Sequence, residues 1–252
     1  MNMLNLAMGP AHEPSISTKT NTRPLQRIPA AITVSIAMAT VMLLSGCGTW
    51  VLRADFNNYV PDTSGQQLEG QIAGKPDGDF IDMACFAADV KVLSGSPNNV
   101  LRISGCFPGG IEFGTAPHDS PAEYLIDWDG TREFAENSLL TFISFMGEGQ
   151  TFTLRFMHSQ LDVLVSGVPA VDAIDVSSLS SHAIRLEIKT GGNSTADLFF
   201  QERFNDGTTG PKIVRSFNLN DFTKLTEIVI SAEEFGAYQI SDLDIFASAS
   251  TN

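Results

Sequence analysis

The chain has 252 residues, with 29 Asp or Glu against 15 Lys or Arg and a formal net charge of −14. So acidic a surface argues against nucleic acid as a partner and against electrostatic docking on anionic lipid. Hydrophobic residues make up 43% of the composition, enough for one core of ordinary size.

The N-terminal stretch divides in two. Residues 1–27 are a polar head with Lys19, Arg23 and Arg27, in which Met3 and Met8 are alternative starts. Residues 28–44 are an apolar run that ends in Leu44-Ser45-Gly46-Cys47. A basic flank, a short apolar core and small residues at a cut site are the layout of a secretory signal, helical in its apolar part. The competing reading is a permanent membrane helix. The run is 17 residues long, at the lower edge of the roughly 20 that cross a bilayer core. Cys47 also stands where a span would have its flank. The closing Leu-Ser-Gly-Cys resembles the lipobox of bacterial lipoproteins. That resemblance implies cleavage before Cys47 and a diacylglycerol thioether on its sulfur. It places the protein in the cell envelope, lipid-anchored to the membrane through Cys47. Position 48 is glycine rather than aspartate, so a host with two membranes would sort the protein to the outer one.

The expected division is therefore a signal over residues 1–46 and a single β-sandwich domain over residues 47–252. Losing Lys19, Arg23, Arg27 and Glu13 with the signal moves the net charge from −14 to −16. Almost no tether follows Cys47, because Gly48-Thr49 lead directly into Trp50-Val51-Leu52. Residues 61–79 are rich in turn formers and are expected to be a loop.

Cys85 and Cys106 would meet an oxidising compartment, where paired cysteines normally bridge. A hairpin that sets Leu93 opposite Asn98 places Val90 across from Leu101, Ala88 across from Ile103 and Cys85 across from Cys106. A bridge there would stabilise the domain by about 3 kcal/mol; two buried free thiols are the alternative. Residues 107–122, with three prolines and three glycines, are expected to be a further loop.

From Tyr124 short apolar runs recur between turn residues. The expected strands are Tyr124–Trp128, Leu139–Met146, Thr151–His158, Leu161–Val165, Ala183–Lys189, Asp197–Gln201, Ile213–Asn218, Lys224–Ser231 and Tyr238–Phe246. In Ala183–Lys189, Ile184, Leu186 and Ile188 alternate with Arg185, Glu187 and Lys189, the period of a half-buried antiparallel strand. Asn220-Asp221-Phe222-Thr223 is the one expected helical turn. In the last strand Tyr238 and Ile240 share one parity and Leu243 and Ile245 the other, which predicts a bulge near Ser241. Many short strands without intervening helices predict an all-β fold, an antiparallel sandwich or barrel.

The opening Asp55-Phe56 and the closing Ile240-Ser241-Asp242-Leu243-Asp244-Ile245 resemble jelly-roll carbohydrate-binding modules, whose first and last strands pair. The resemblance implies an antiparallel β-sandwich of jelly-roll type. It also implies a structural calcium held by Asp55 with Asp242 or Asp244, as the sole cofactor expected; solvated aspartates on an edge strand are the alternative.

Nucleophile elbows, zinc-binding His motifs and phosphate-cradling glycine loops are absent from the sequence. His118 lies in a loop beside Asp119, and His158 shares the parity of Phe152, Leu154 and Phe156. The most chemically loaded stretch is residues 119–136, where Glu123, Asp127, Asp129, Glu133 and Glu136 surround Tyr124 and Trp128. Paired carboxylates about 5 Å or 6.5–9.5 Å apart beside an aromatic platform are what glycoside cleavage requires. The simpler reading of Asp127-Trp128-Asp129-Gly130 is a strand ending in an Asp-Gly hairpin turn. Seventeen Phe against 2 Trp and 3 Tyr suit a sandwich interior better than a sugar-binding surface. Three functions are expected in turn: a non-catalytic binding or scaffolding domain for glycan or envelope protein at Tyr124, Trp128, Glu123, Asp127 and Asp129, a glycan-active hydrolase or lyase using the same carboxylates, or an accessory subunit of an envelope assembly.

Overall fold

Period-two alternation governs the chain wherever it is long enough to be expressed. In Ser181–Lys189 every second side chain from His182 to Ile188 is buried and its neighbours face outward. Thr151–Phe156 repeats the pattern with Phe152, Leu154 and Phe156. A strand with one wet and one dry face can only be satisfied by a second sheet across the dry side.

The computed structural model describes residues 48–54, 56–57, 59–61, 81–83, 90–95, 98–104, 110–115, 122–134, 140–176, 181–232 and 236–249. Among them are sixteen strands and no helix: β1 (Thr49–Ala54), β2 (Ile81–Met83), β3 (Val90–Leu93), β4 (Val100–Ser104), β5 (Ile111–Gly114), β6 (Ala122–Phe134), β7 (Thr141–Gly147), β8 (Thr151–Phe156), β9 (Gln160–Val165), β10 (Val168–Pro169), β11 (Ile174–Asp175), β12 (Ser181–Lys189), β13 (Thr195–Arg203), β14 (Ile213–Asn218), β15 (Leu225–Ala232) and β16 (Gly236–Ala249). They form two eight-stranded sheets. The first runs β14-β13-β12-β6-β16-β4-β3, with β1 also on β16; the second runs β10-β9-β8-β7-β15-β5-β2, with β11 also on β9. Every pairing is antiparallel. The fold is an antiparallel β-sandwich whose first strand pairs with its last, within the compact unit Met42–Asn252.

The phenylalanines fill the interior as their number predicts. Phe145 and Phe152 stack at 4.6 Å, and Phe217 and Phe222 meet Phe152 edge-on at 5.6 and 5.7 Å. Each such ring contributes about 1.5–3 kcal/mol by leaving water.

All nine strands expected beyond residue 122 are present, several longer than foreseen. The predicted bulge is there too. The pairing of β16 with β6 slips between Ser241 and Asp244, and Asp242 takes a φ of 53°. Tyr238, Ile240, Leu243 and Ile245 are consequently all buried despite their change of parity. Around Asn220 a single turn forms, closed by Phe222 N–H donating to the Leu219 carbonyl.

Four expectations are corrected. The β3–β4 hairpin pairs Val90 with Ile103, Lys91 with Arg102 and Val92 with Leu101, two residues away from the expected register. An even slip leaves every side chain on its own face, so face patterning cannot detect it. The register that would set Cys85 opposite Cys106 is therefore not the one formed, and both cysteines lie outside the described residues. Residues 107–122 hold a strand, β5, with Ile111 and Phe113 buried; four residues among prolines and glycines are too few for their alternation to stand out. His158, whose parity suits a core or a strand-end position, is not in the core but exposed in the turn just past the end of β8. Asp129-Gly130 is no turn, since β6 runs unbroken from Ala122 to Phe134. The signal, its cut site and Cys47 lie outside the described residues, among which no helix is long and apolar enough to cross a membrane.

Candidate functional site

The stretch 122–134 is the centre of the first sheet, flanked by β12 and β16. Its alternation separates the residues that had been grouped as one site. Glu123, Asp127 and Asp129 point outward. Tyr124 and Trp128 point inward and are 2% exposed each. They form no platform for a sugar. The reason is the pleat: residues one apart on a strand stand on opposite faces.

The outer face is an array of ion pairs. Arg185 grips Asp127 through two nitrogens at 2.7 and 3.3 Å. Arg203 reaches Asp129 at 2.7 Å, and Arg102 reaches Glu133 at 2.7 Å while Gln239 donates to the same carboxylate. By register Glu123 stands beside Lys189 and Ser248. Burial raises the Asp127 carboxyl above the usual range, with Arg185 opposing that shift. Two residues apart on one strand, Asp127 and Asp129 have Cα atoms about 6.6 Å apart. Each is held by its own guanidinium, Asp127 by Arg185 and Asp129 by Arg203. Half-exposed pairs of this kind contribute about 0–1 kcal/mol each. Glu136, His118 and Asp119 lie outside the described residues.

A second constellation gathers where the end of β1, the β3–β4 turn and the bulge of β16 meet. Asn57 donates to Asn98 at 2.7 Å, Asn98 donates to Asp242 at 2.5 Å, and the Asn99 backbone N–H donates to Asn57 at 2.9 Å. Phe56, buried, has a φ of 55°, and Asp242 one of 53°. Two non-glycine residues in the left-handed region cost of order 1–3 kcal/mol each, and the converging amide bonds hold them there. Asp244 lies 3.5 Å from Arg53. Burial pushes its carboxyl up to about 6; Arg53 opposes this, and the charges of Asp242 and Asp127 add to it. A calcium ion takes six to eight oxygens. Here Asp242 accepts from Asn98 and Asp244 faces Arg53, and among the described residues no three His, Cys, Asp or Glu side chains gather to hold a metal. Asp55 lies outside the described residues.

Sequence reasoning missed a third group, wholly buried. His182 is 1% exposed, stacked on Phe156 at 4.8 Å. Its Nε2 lies 2.8 Å from the Tyr238 hydroxyl, which accepts the Trp128 indole N–H at 2.9 Å. Indole only donates, so the phenol oxygen accepts from Trp128 and its second bond joins it to a neutral His182 ring. Burial drops the His182 pKa to about 3, helped by the charges of Arg132 and Arg203, and burial raises Tyr238 well above the usual phenol range. Arg132, lowered by burial to about 10, lies 5.3 Å over the Phe156 ring and donates to the Met157 carbonyl. Gly130 makes room for this group. A Cβ there would fall 2.0 Å from the Tyr238 hydroxyl and 2.5 Å from His182 Nε2. The available signal was parity: His182 lies in step with Ile184, Leu186 and Ile188, and Gly130 in step with Trp128.

No family model matches the chain, and no curated protein does. Among solved structures it is similar to the binding domain of botulinum neurotoxin serotype G, with a TM-score of 0.46 and 12% identity over 80% of this chain and 48% of that one. A second is the binding domain of botulinum neurotoxin DC in complex with SialylT, with a TM-score of 0.48 and 14% identity over 78% of this chain and 47% of that one. A third is the CBM2 module of the evolved Dit of Lactobacillus casei BL23 phage J-1, with a TM-score of 0.39 and 9% identity over 79% of this chain and 95% of that one. The chain spans about half the length of the neurotoxin domains. The class defined by the fold is an all-β antiparallel sandwich. Neither the identities nor the scores assign it an activity.

Proposed function

We propose that this chain is a lipid-anchored protein of the cell envelope whose β-sandwich binds or scaffolds a partner, glycan or protein, without catalysing a reaction. One observation carries the second half of that reading. The carboxylates that a glycan-cleaving site would use, Asp127 and Asp129, are each engaged by an arginine on the outer face of the sheet. An array of paired charges suits recognition, where matched potentials select a partner. The anchor rests on the lipobox-like Leu44-Ser45-Gly46-Cys47, and Gly48 directs the protein to the outer membrane where there is one.

Two experiments test it. Cys47→Ser is expected to abolish palmitate labelling and to move the protein out of the membrane pellet; a variant that still takes up label overturns the anchor. Changing Glu123, Asp127 and Asp129 together to their amides is expected to leave the domain folded and to remove no polysaccharide-cleaving activity. A cleaving activity in the parent that vanishes in the triple variant replaces this reading with that of a glycan hydrolase or lyase. Stoichiometric recovery of an envelope protein in mild detergent would make the chain an assembly subunit.

A further inference from the structure

The first residues after Cys47 are not a tether. Gly48 is pressed against β16, where a Cβ would fall 2.2 Å from the Phe246 ring and 2.9 Å from the Ala247 carbonyl oxygen. Trp50 then pairs with Phe246 across the strands, its ring edge-on at 5.5 Å. Phe246 in turn pairs with Leu125 on β6. Trp50, Phe246 and Leu125 thus form an apolar row across three adjacent strands on the outer face of the first sheet, each partly exposed. Arg53 lies over the Trp50 indole at 4.6 Å, with its side chain 57% exposed.

We infer that this row is a membrane-seating surface, and that the lipid bilayer interface is its partner. The inference rests on the lipidation of Cys47 proposed above. Three extended residues span at most about 10–11 Å, so Trp50 cannot stand far from a lipid-bearing Cys47. The headgroup region beyond each side of the hydrocarbon is about 5–7 Å thick. An indole with one apolar and one polar edge prefers that zone. Arg53, its guanidinium over the indole and 3.5 Å from Asp244 yet more than half exposed, sets a cation at the edge of the row, within reach of lipid phosphates. Elsewhere the mature chain is strongly acidic, and that charge holds the rest of the body off an anionic surface. The lipid fixes the position of the domain, and the aromatic row fixes its tilt.

The test uses the lipidated protein, purified from membranes and reconstituted into phosphatidylethanolamine–phosphatidylglycerol vesicles whose acyl chains are brominated near the headgroups. Of the two tryptophans, Trp128 is buried in the core and beyond contact quenching. Bromine is expected to remove about half of the emission, the Trp50 share. Trp50→Phe keeps an aromatic ring against Phe246; with circular dichroism unchanged, it should still take palmitate and pellet with vesicles while losing the quenchable part. A palmitate-labelled, vesicle-bound parent whose emission bromine leaves untouched overturns the seating surface and leaves the lipid anchor standing. A parent that takes no palmitate overturns both.

Discussion

Gly130→Ala is expected to destabilise the sandwich by about 3 kcal/mol, more than any exposed substitution on the same sheet. The added methyl falls on the hydroxyl that joins Trp128 to His182, and β6 cannot retreat because β12 and β16 hold it on both sides. Overpacking costs about 1–3 kcal/mol, and displacing the phenol leaves buried polar groups without their bonds, at about 1–3 kcal/mol more. The denaturant midpoint should fall with its slope unchanged. Gly192→Ala, where a Cβ meets nothing within 4 Å, is the matched control and should stay within about 0.5 kcal/mol of the parent. Adding Tyr238→Phe to Gly130→Ala should recover part of the loss, because it removes the nearest clashing atom. Strict additivity of the two would refute the steric account.

Acid is the second large lever. Unfolded histidine titrates near 6.5, whereas folded His182 is held near 3 by burial. The unfolded chain therefore binds the extra proton between those values, and stability drains away as pH falls from about 6.5 toward 3, at up to about 1.4 kcal/mol per pH unit. Asp244 acts with the opposite sign. Its folded value near 6 lies above that of a free aspartate, so its contribution is present at low pH and is lost as pH rises through 6. Between about pH 6 and 4 the two offset each other, and below 4 the histidine is unopposed. Denaturant midpoints taken across pH should thus be nearly level from 6 to 4 and then fall. In Asp244→Asn the fall should begin near pH 6.5, and in His182→Gln it should flatten. A parent whose stability already drops steeply from pH 6 contradicts this balance.

The fold was largely legible because alternation is a local signal. Ser181–Lys189 states its own faces, and the parity break around Ser241 states its own bulge. The β3–β4 register was not legible, because a two-residue slip conserves every face and Val92 packs as well against one row as the next. The site was legible only in part. Asp127 and Asp129 stood out as a carboxylate pair, but the arginines that engage them come from β12 and β13. Trp128 looked like a surface aromatic beside an Asp-Gly turn. What makes it a core residue is Tyr238, 110 residues downstream, whose hydroxyl needs the space that glycine leaves. No window around Gly130 contains that fact.

The last strand has a temporal consequence. β16 lies between β6 on one side and β4 and β1 on the other, so three strands of the first sheet lack a partner until residues 236–249 emerge. A ribosome-bound or half-exported chain has made every other strand yet lacks the keystone between them. Such distant pairing makes closure slow. Under the export proposed above, that delay would keep the first sheet open while the chain is still being threaded across the membrane.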